Sequence, residues 1–328
     1  MDQAMTMYHW EDDEAPMTGG DDPERQRVEL LHRVLVDGYG SKQSAGWEEI
    51  STSKDEDGYL QHFTARQPFG NGLYVRVERG KDIVAARDVE NEGLDEEDLV
   101  DKLRAGLDPD GHRPPEHERW IALAGERSFL LCYALTETGE PYTGDDSEPA
   151  SILEGFIDFD DMMAHTDSGA GYLVGGASGR TQFFARYGAH AATEDATDCS
   201  AAIEGYPDRW LPHYAALIAP LGYQDVEGDD AARETRLSQA NLIENRVIAD
   251  QVLIRDGNHT VRGYVPNLRF LLTGFGADVD DYSPDDWPKL GDKVVVDDRV
   301  YRFAFAGGNG SAFDGAPNLS LLLFREGS

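Results

Sequence analysis

Nine histidines, two cysteines and a large surplus of carboxylates are this chain's raw material for chemistry. The histidines are His9, His32, His62, His112, His117, His165, His190, His213 and His259, and they are scattered. None forms the H-x-x-x-H pair that sets two imidazoles on one helical face for a metal. His112 and His117 fall in a proline-rich loop, where a solvated side chain is the simpler reading. Asp55-Glu56-Asp57-Gly58 looks like part of a calcium loop, but the remaining ligand positions and the terminal glutamate do not follow. Ser178, in Gly176-Ala177-Ser178-Gly179, and Ser168, in Thr166-Asp167-Ser168-Gly169, both lack the G-x-S-x-G order of a nucleophile elbow. Gly274-Phe275-Gly276 does not extend into a dinucleotide fingerprint, and there is no Walker motif. Cys132 and Cys199 are too few for a disulfide framework or a zinc site. Cys132, inside the apolar run Phe129-Leu130-Leu131-Cys132-Tyr133, reads as a buried structural thiol. A hydrolase assembled from distant carboxylates would leave no local pattern, because the separation that matters is three-dimensional. It stands as the enzymatic alternative to a reading with no catalytic residue, no cofactor and no metal site.

The charge says more than any single residue. In 328 residues, 63 Asp and Glu face 29 Lys and Arg, a formal net charge of -34. A phosphate-tracking surface needs clustered Lys and Arg, so direct nucleic-acid binding is not expected. Only six residues are lysine: Lys42, Lys54, Lys81, Lys102, Lys289 and Lys293. The carboxylates are spread along the whole chain. At low salt such a surface repels itself, whereas at molar salt the Debye length drops to ~3 Å and most of that repulsion is screened. The composition therefore points to a halophile or a virus of one. A partner for a basic surface, or an acidic mesophilic protein, is the alternative. No apolar run approaches the ~18 residues of a membrane helix. Met1-Asp2-Gln3-Ala4 lacks the cationic and apolar regions of a signal peptide, so no membrane association is expected.

Hydrophobic residues make up 40% of the chain, enough for a sizeable core. Pro23 to Leu35 reads as an amphipathic helix. Asp22 is placed to cap it, and Val28, Leu31, Val34 and Leu35 share a face from which Glu24, Arg27 and Arg33 are excluded. Gly38 is placed to end it in a left-handed conformation. Strands are expected from Trp47 onward, at Tyr59 to Arg66, Leu73 to Glu78, Asp82 to Arg87, Trp120 to Leu123, Phe129 to Ala134 and Ile152 to Phe159. A second short helix is expected after Asp95, with Leu99, Val100 and Leu103 as its apolar side and Gly106 as its end.

Further on, Tyr172 to Val174 and Gln182 to Tyr187 read as strands, and Trp210 to Leu221 as holding a short helix between Pro212 and Pro220. Ala231 to Asn245 is open between helix and extended chain. Arg246 to Arg255 with His259 to Tyr264, and Lys293 to Val296 with Arg299 to Ala306, read as hairpins. In the last arm Tyr301, Phe303 and Phe305 share a face. Leu319 to Phe324 closes the pattern. The expected fold class is α+β, predominantly antiparallel β-sheet with a few short helices. The expected division is an N-terminal α+β domain over 1–160 and a C-terminal β-rich domain over 161–328, whose segment from about 161 to 245 is poorly patterned.

One stretch is recognisable. Tyr8-His9-Trp10, Ala15-Pro16 and the helix ending Val34-Leu35-Val36 precede Asp37-Gly38-Tyr39-Gly40-Ser41-Lys42 and Ala45-Gly46-Trp47. This order resembles a family of virion structural proteins of tailed phages, with a short aromatic strand, an Ala-Pro, an apolar helix and an N-G-Y-G-S-K-x-x-A-G-W motif. Asp37 stands where the family has Asn. Leu73-Tyr74-Val75-Arg76-Val77 is similar to its Y-L-R-V type strand. Trp120-Ile121-Ala122-Leu123 with Arg127-Ser128-Phe129 is similar to its W-x-x-x-A-D-x-R-x-F hairpin. Val261-Arg262-Gly263-Tyr264-Val265-Pro266-Asn267-Leu268 is similar to its late R-G-x-L-P-G-L segment.

The resemblance covers the first ~135 residues and returns near the C-terminus, and about 160 to 245 departs from it. It implies a place in the virus particle, homo-oligomers and contacts with other virion proteins, and no catalytic residues. A capsid-associated surface subunit (decoration or turret) is the first expectation, and a tail, neck or baseplate subunit the second. An enzyme acting on host surface polymer is the third. Gly38, Tyr39, Gly40, Ala45, Gly46 and Trp47 are expected to be structural: glycines for unusual backbone geometry and aromatics for packing against the helix.

Overall fold

The computed structural model describes residues 5–69, 73–81, 83–86, 103–104, 115–137, 151–160, 170–175, 199–203, 215–218, 248–256, 261–272, 289–296, 298–307 and 320–326. Within them the chain is mostly antiparallel sheet, in three sheets, with one short α-helix.

The central sheet takes the order β1-β7-β8-β9-β10-β11. Its strands are β1 (Met5–His9), β7 (Trp120–Gly125), β8 (Phe129–Ala134), β9 (Ser151–Asp160), β10 (Ala170–Gly175) and β11 (Cys199–Ile203). Every residue of β7 and β8 is buried. The period of two explains why they read as unbroken apolar runs. Trp120, Ala122, Ala124, Phe129, Leu131 and Tyr133 face one core. Ile121, Leu123, Leu130, Cys132 and Ala134 face the other.

On the first face lie helix α1 (Pro23–His32) and a five-stranded sheet in the order β2-β3-β4-β5-β6. Its strands are β2 (Glu48–Lys54), β3 (Leu60–Arg66), β4 (Tyr74–Glu78), β5 (Val84–Ala86) and β6 (Leu103–Arg104). Against the second face packs a six-stranded sheet in the order β12-β13-β14-β17-β16-β15. It comprises β12 (Ala215–Ile218), β13 (Ile248–Asp256), β14 (Val261–Leu272), β15 (Lys293–Val296), β16 (Arg299–Gly307) and β17 (Ser320–Arg325). Val265, Leu268, Ala304 and Phe324 of this sheet, with Leu290 in the turn before β15, contribute to that core.

The helix begins as expected. Asp22 accepts a hydrogen bond from the Arg25 amide at 3.2 Å, and Pro23 occupies the first turn. It ends earlier than the apolar spacing suggests: Arg33–Asp37 widens into a single π-turn. That turn keeps Val34 and Leu35 buried while freeing the carbonyls of Val34 and Leu35 to accept from Ala45 at 2.8 Å and Trp47 at 2.9 Å. The demand of the following segment thus overrides regular helix geometry.

Two further expectations are corrected. Leu103, expected on the apolar side of a helix, lies in β6, where Val84 pairs with Arg104 and Ala85 with Leu103. The pairing extends the sheet by one strand past β5, and tertiary pairing outweighs local helix signals. The rest of that expected helix lies outside the described residues. The short helix between Pro212 and Pro220 is instead strand β12, paired with β13. Seven residues between prolines are too few for a stable helix, and four of them, Ala215–Ile218, suffice for a strand. A bulge interrupts the pairing with β17 between Phe303 and Phe305; Tyr301, Phe303 and Ala304 are buried, and the Phe305 side chain is outside what is described. The expectations at Gln182 to Tyr187 and Ala231 to Asn245 lie outside the described residues.

Candidate functional site

The segment from Asp37 to Trp47 joins the helix to β2 and touches three elements. Its backbone is unusual from the start. Gly38 has φ 79° and ψ 178°, not the left-handed helical geometry expected of it, but a region that is essentially glycine-only. A β-carbon there would lie 2.6 Å from the Lys42 carbonyl. At Gly40, φ is 50° and a β-carbon would collide with the Asp13 carbonyl. Gly46, φ 82°, has open space around it, so only its backbone angle favours glycine.

Between these glycines the side chains turn inward. Tyr39 is 4% exposed and Trp47 3%. Both belong to the core formed by Val28, Leu31, Val34 and Leu35. The Trp47 ring meets Phe129 and Phe156 edge-on, with centroids 5.7 and 6.1 Å away. Its Nε1–H donates to the Gly125 carbonyl at 2.9 Å, fastening the motif to the end of β7. Tyr39 stands edge-on to Trp120 and donates its hydroxyl to Asp12 Oδ2 at 3.0 Å. Burial, and then the Asp12 carboxylate, hold the Tyr39 phenol above its ordinary pKa, so it remains a donor.

Asp12 is the hub of this corner. Its Oδ2 also accepts the His9 amide at 2.8 Å, and its Oδ1 lies 3.4 Å from Lys42 Nζ. Lys42 Nζ donates to the Met7 carbonyl at 2.9 Å, and the Tyr8 hydroxyl to the Gln43 carbonyl at 2.7 Å. Three polar side chains of the motif, Tyr39, Lys42 and Trp47, are engaged within the chain. Ala45 is buried and contributes its amide to the π-turn. The arrangement locks β1, the helix and the central sheet together.

Two buried polar groups escape sequence reasoning. Arg27, expected outside the apolar face, is fully enclosed and forks onto Glu154 of β9, with Nε 2.8 Å from Oε1 and a terminal nitrogen 2.7 Å from Oε2. Its other arm donates to the Lys81 carbonyl at 3.2 Å. Burial alone would lower the Arg27 pKa, but attraction and hydrogen bonding from Glu154 outweigh it and raise it. The available signals are the spacing of Arg27 to Leu31 and Val34, which sets it on the apolar face, and the glutamate within the strand pattern Ile152 to Phe159. The second group is Asp158, also in β9, which accepts from Arg127 at 2.7 Å and Gln67 at 3.2 Å.

On the opposite face, His9 Nε2 lies 2.9 Å from an Arg302 nitrogen. The other ring nitrogen, Nδ1, faces the Glu11 amide at 3.1 Å, so both nitrogens face donors, and a neutral imidazole can accept from one of them at a time. Burial, followed by the charges of Arg302, Lys293, Lys42 and Arg119, lowers the His9 pKa to about 3. Trp10 stacks on His9 with centroids 3.7 Å apart, under the Arg119 guanidinium.

Among the described residues, no three of His, Cys, Asp and Glu are grouped to hold a metal ion, and no helix is long and apolar enough to cross a membrane. Cys132 is buried and its thiol donates to the Ala304 carbonyl; burial pushes its pKa up. Of the Asp55 cluster, the Oδ1 atom accepts the amides of Asp57 and Tyr59, which makes it a turn cap. No protein-family model matches the chain, and no curated protein does.

Proposed function

We propose that this chain is a non-enzymatic structural component of a tailed virus particle, a capsid-associated surface subunit of decoration or turret type, from a virus of a halophile. The observation that supports it is the Asp37–Trp47 segment. Its residue order resembles that of the virion family, and its Tyr39, Lys42 and Trp47 side chains are spent on internal fastening rather than held toward a substrate. With one helix packed on antiparallel sheets, the chain reads as an α+β fold. Partners on this reading are further copies of itself and other virion proteins, without direct contact to nucleic acid or membrane, and the location is the virion.

The net charge of -34 suits a surface facing brine. Thermal unfolding across ~0.1–3 M chloride salt should show stability falling as salt is removed, since the Debye length grows from ~2–3 to ~10 Å. The function itself is tested by the composition of purified particles. After stringent washing they should retain this protein at a fixed copy number; particles that lack it contradict the proposal.

A further inference from the structure

Strand β2 is at the end of its sheet, paired with β3 alone. It is unusual in burying none of its seven side chains: Glu48, Glu49, Ile50, Thr52 and Lys54 are exposed, and Ser51 and Ser53 partly so. A bulge between Glu49 and Ser51 takes Ile50 out of the pairing with β3 and leaves it 42% exposed. Its opposite ends carry opposite charges. Glu49 is taken by His32, at 2.6 Å, but Glu48 and Lys54 have no ion-pair partner among the described residues.

We infer that β2 is a self-association edge, which adds the β2 of a second copy of this chain as an antiparallel strand about a two-fold axis near Ser51. This builds on the self-association expected of a particle component and names the face. The reason is charge complementarity. Antiparallel two-fold pairing brings Glu48 of each copy toward Lys54 of the other and places Ile50 near Thr52, whereas parallel pairing sets Lys54 on Lys54. Charged ends and a bulge guard an edge against indiscriminate pairing. Here they permit one orientation and reject the other. The added ladder gives partners to backbone groups that β3 does not reach.

The test is sedimentation of the full chain over a range of concentrations, at the lowest salt at which it stays folded. A concentration-dependent dimer is expected. Glu48→Lys and Lys54→Glu, each on an exposed side chain and each counted twice by the symmetry, should weaken it ~10-fold or more. The double variant should restore it. Ser51→Cys should form a disulfide between copies on oxidation, because facing residues near the axis bring their β-carbons to ~5 Å. A monomer at all concentrations, or a dimer indifferent to both charge reversals and not trapped by Ser51→Cys, overturns the inference. A monomer that is still retained in washed particles removes this face and leaves the virion reading; a charge-sensitive dimer absent from particles does the reverse.

Discussion

The two faces of the central sheet are held by opposite electrostatic devices. On the helix side, a buried cation meets a buried anion: Arg27 and Glu154 satisfy each other in a two-pronged bond. On the side of the second six-stranded sheet, the buried neighbour of a cation is neutral, since burial and the charges of Arg302, Lys293, Lys42 and Arg119 disfavour a proton on His9. A matched pair is intolerant of losing one member. A neutral histidine among cations tolerates substitution by another acceptor but not protonation.

The largest effect should follow from breaking the matched pair. Arg27→Ala or Glu154→Ala should each cost ~3–5 kcal/mol, because the survivor is a buried charge without its partner. Replacing both by apolar residues of similar volume should cost far less than either single change. Chemical denaturation of the three variants checks this; equal losses for single and double changes would show that packing, not charge, dominates.

Trp47→Ala removes a packed ring and the bond to Gly125, and should cost about 3–5 kcal/mol. Trp47→Phe keeps most of the packing and isolates the hydrogen bond, at ~1 kcal/mol plus the strain of an orphaned carbonyl. Near-normal stability of the alanine variant would contradict the packing role and mark the segment as a contact surface instead.

Acid should act on the other face. The folded pKa of His9 is lowered to about 3, while the unfolded chain binds its proton near the ordinary 6.5. Above ~6.5 neither state is protonated and this group adds no pH dependence. Between ~6.5 and about 3 the unfolded state holds the extra proton, so stability falls as pH falls through that window. His9→Gln offers an uncharged acceptor that does not titrate. The difference between wild-type and variant unfolding free energies, followed from pH 7 to 4, separates this histidine from the many carboxylates that titrate in the same range. An identical slope for the two proteins would remove His9 from the account.

The smallest effects lie in the glycines and distinguish two reasons for them. Gly46→Ala should cost only ~1–2 kcal/mol, because φ is 82° but nothing obstructs the added carbon. Gly40→Ala should cost more, since its β-carbon meets the Asp13 backbone, which cannot move like a side chain. Thermal midpoints in that order support the assignment.

These contrasts also show which parts of the molecule the sequence reveals. The runs of β7 and β8 are legible because a strand buried on both faces loses its alternation and becomes continuously apolar. Tyr39, Trp47 and their glycines are legible because fixed spacing between glycine and aromatic residues reflects local geometry. Arg27 is legible only in part: its spacing to Leu31 and Val34 sets it on the apolar face, but its partner Glu154 lies 127 positions away. Leu103 and Leu217 are misread for the same reason: their strand partners lie on distant segments, and short apolar stretches do not reveal whether they will be paired. The π-turn at Arg33–Asp37 is likewise set by Ala45 and Trp47 claiming its carbonyls, not by the helix's own residues.

The proposal that this chain is built into a virus particle is tested most directly by a reconstruction of the whole particle. It should show density matching the three sheets and the helix at symmetry-related positions on the outer capsid surface. A fully interpreted particle with no such density would contradict it, and density confined to the tail or neck would contradict the capsid assignment while leaving the structural role.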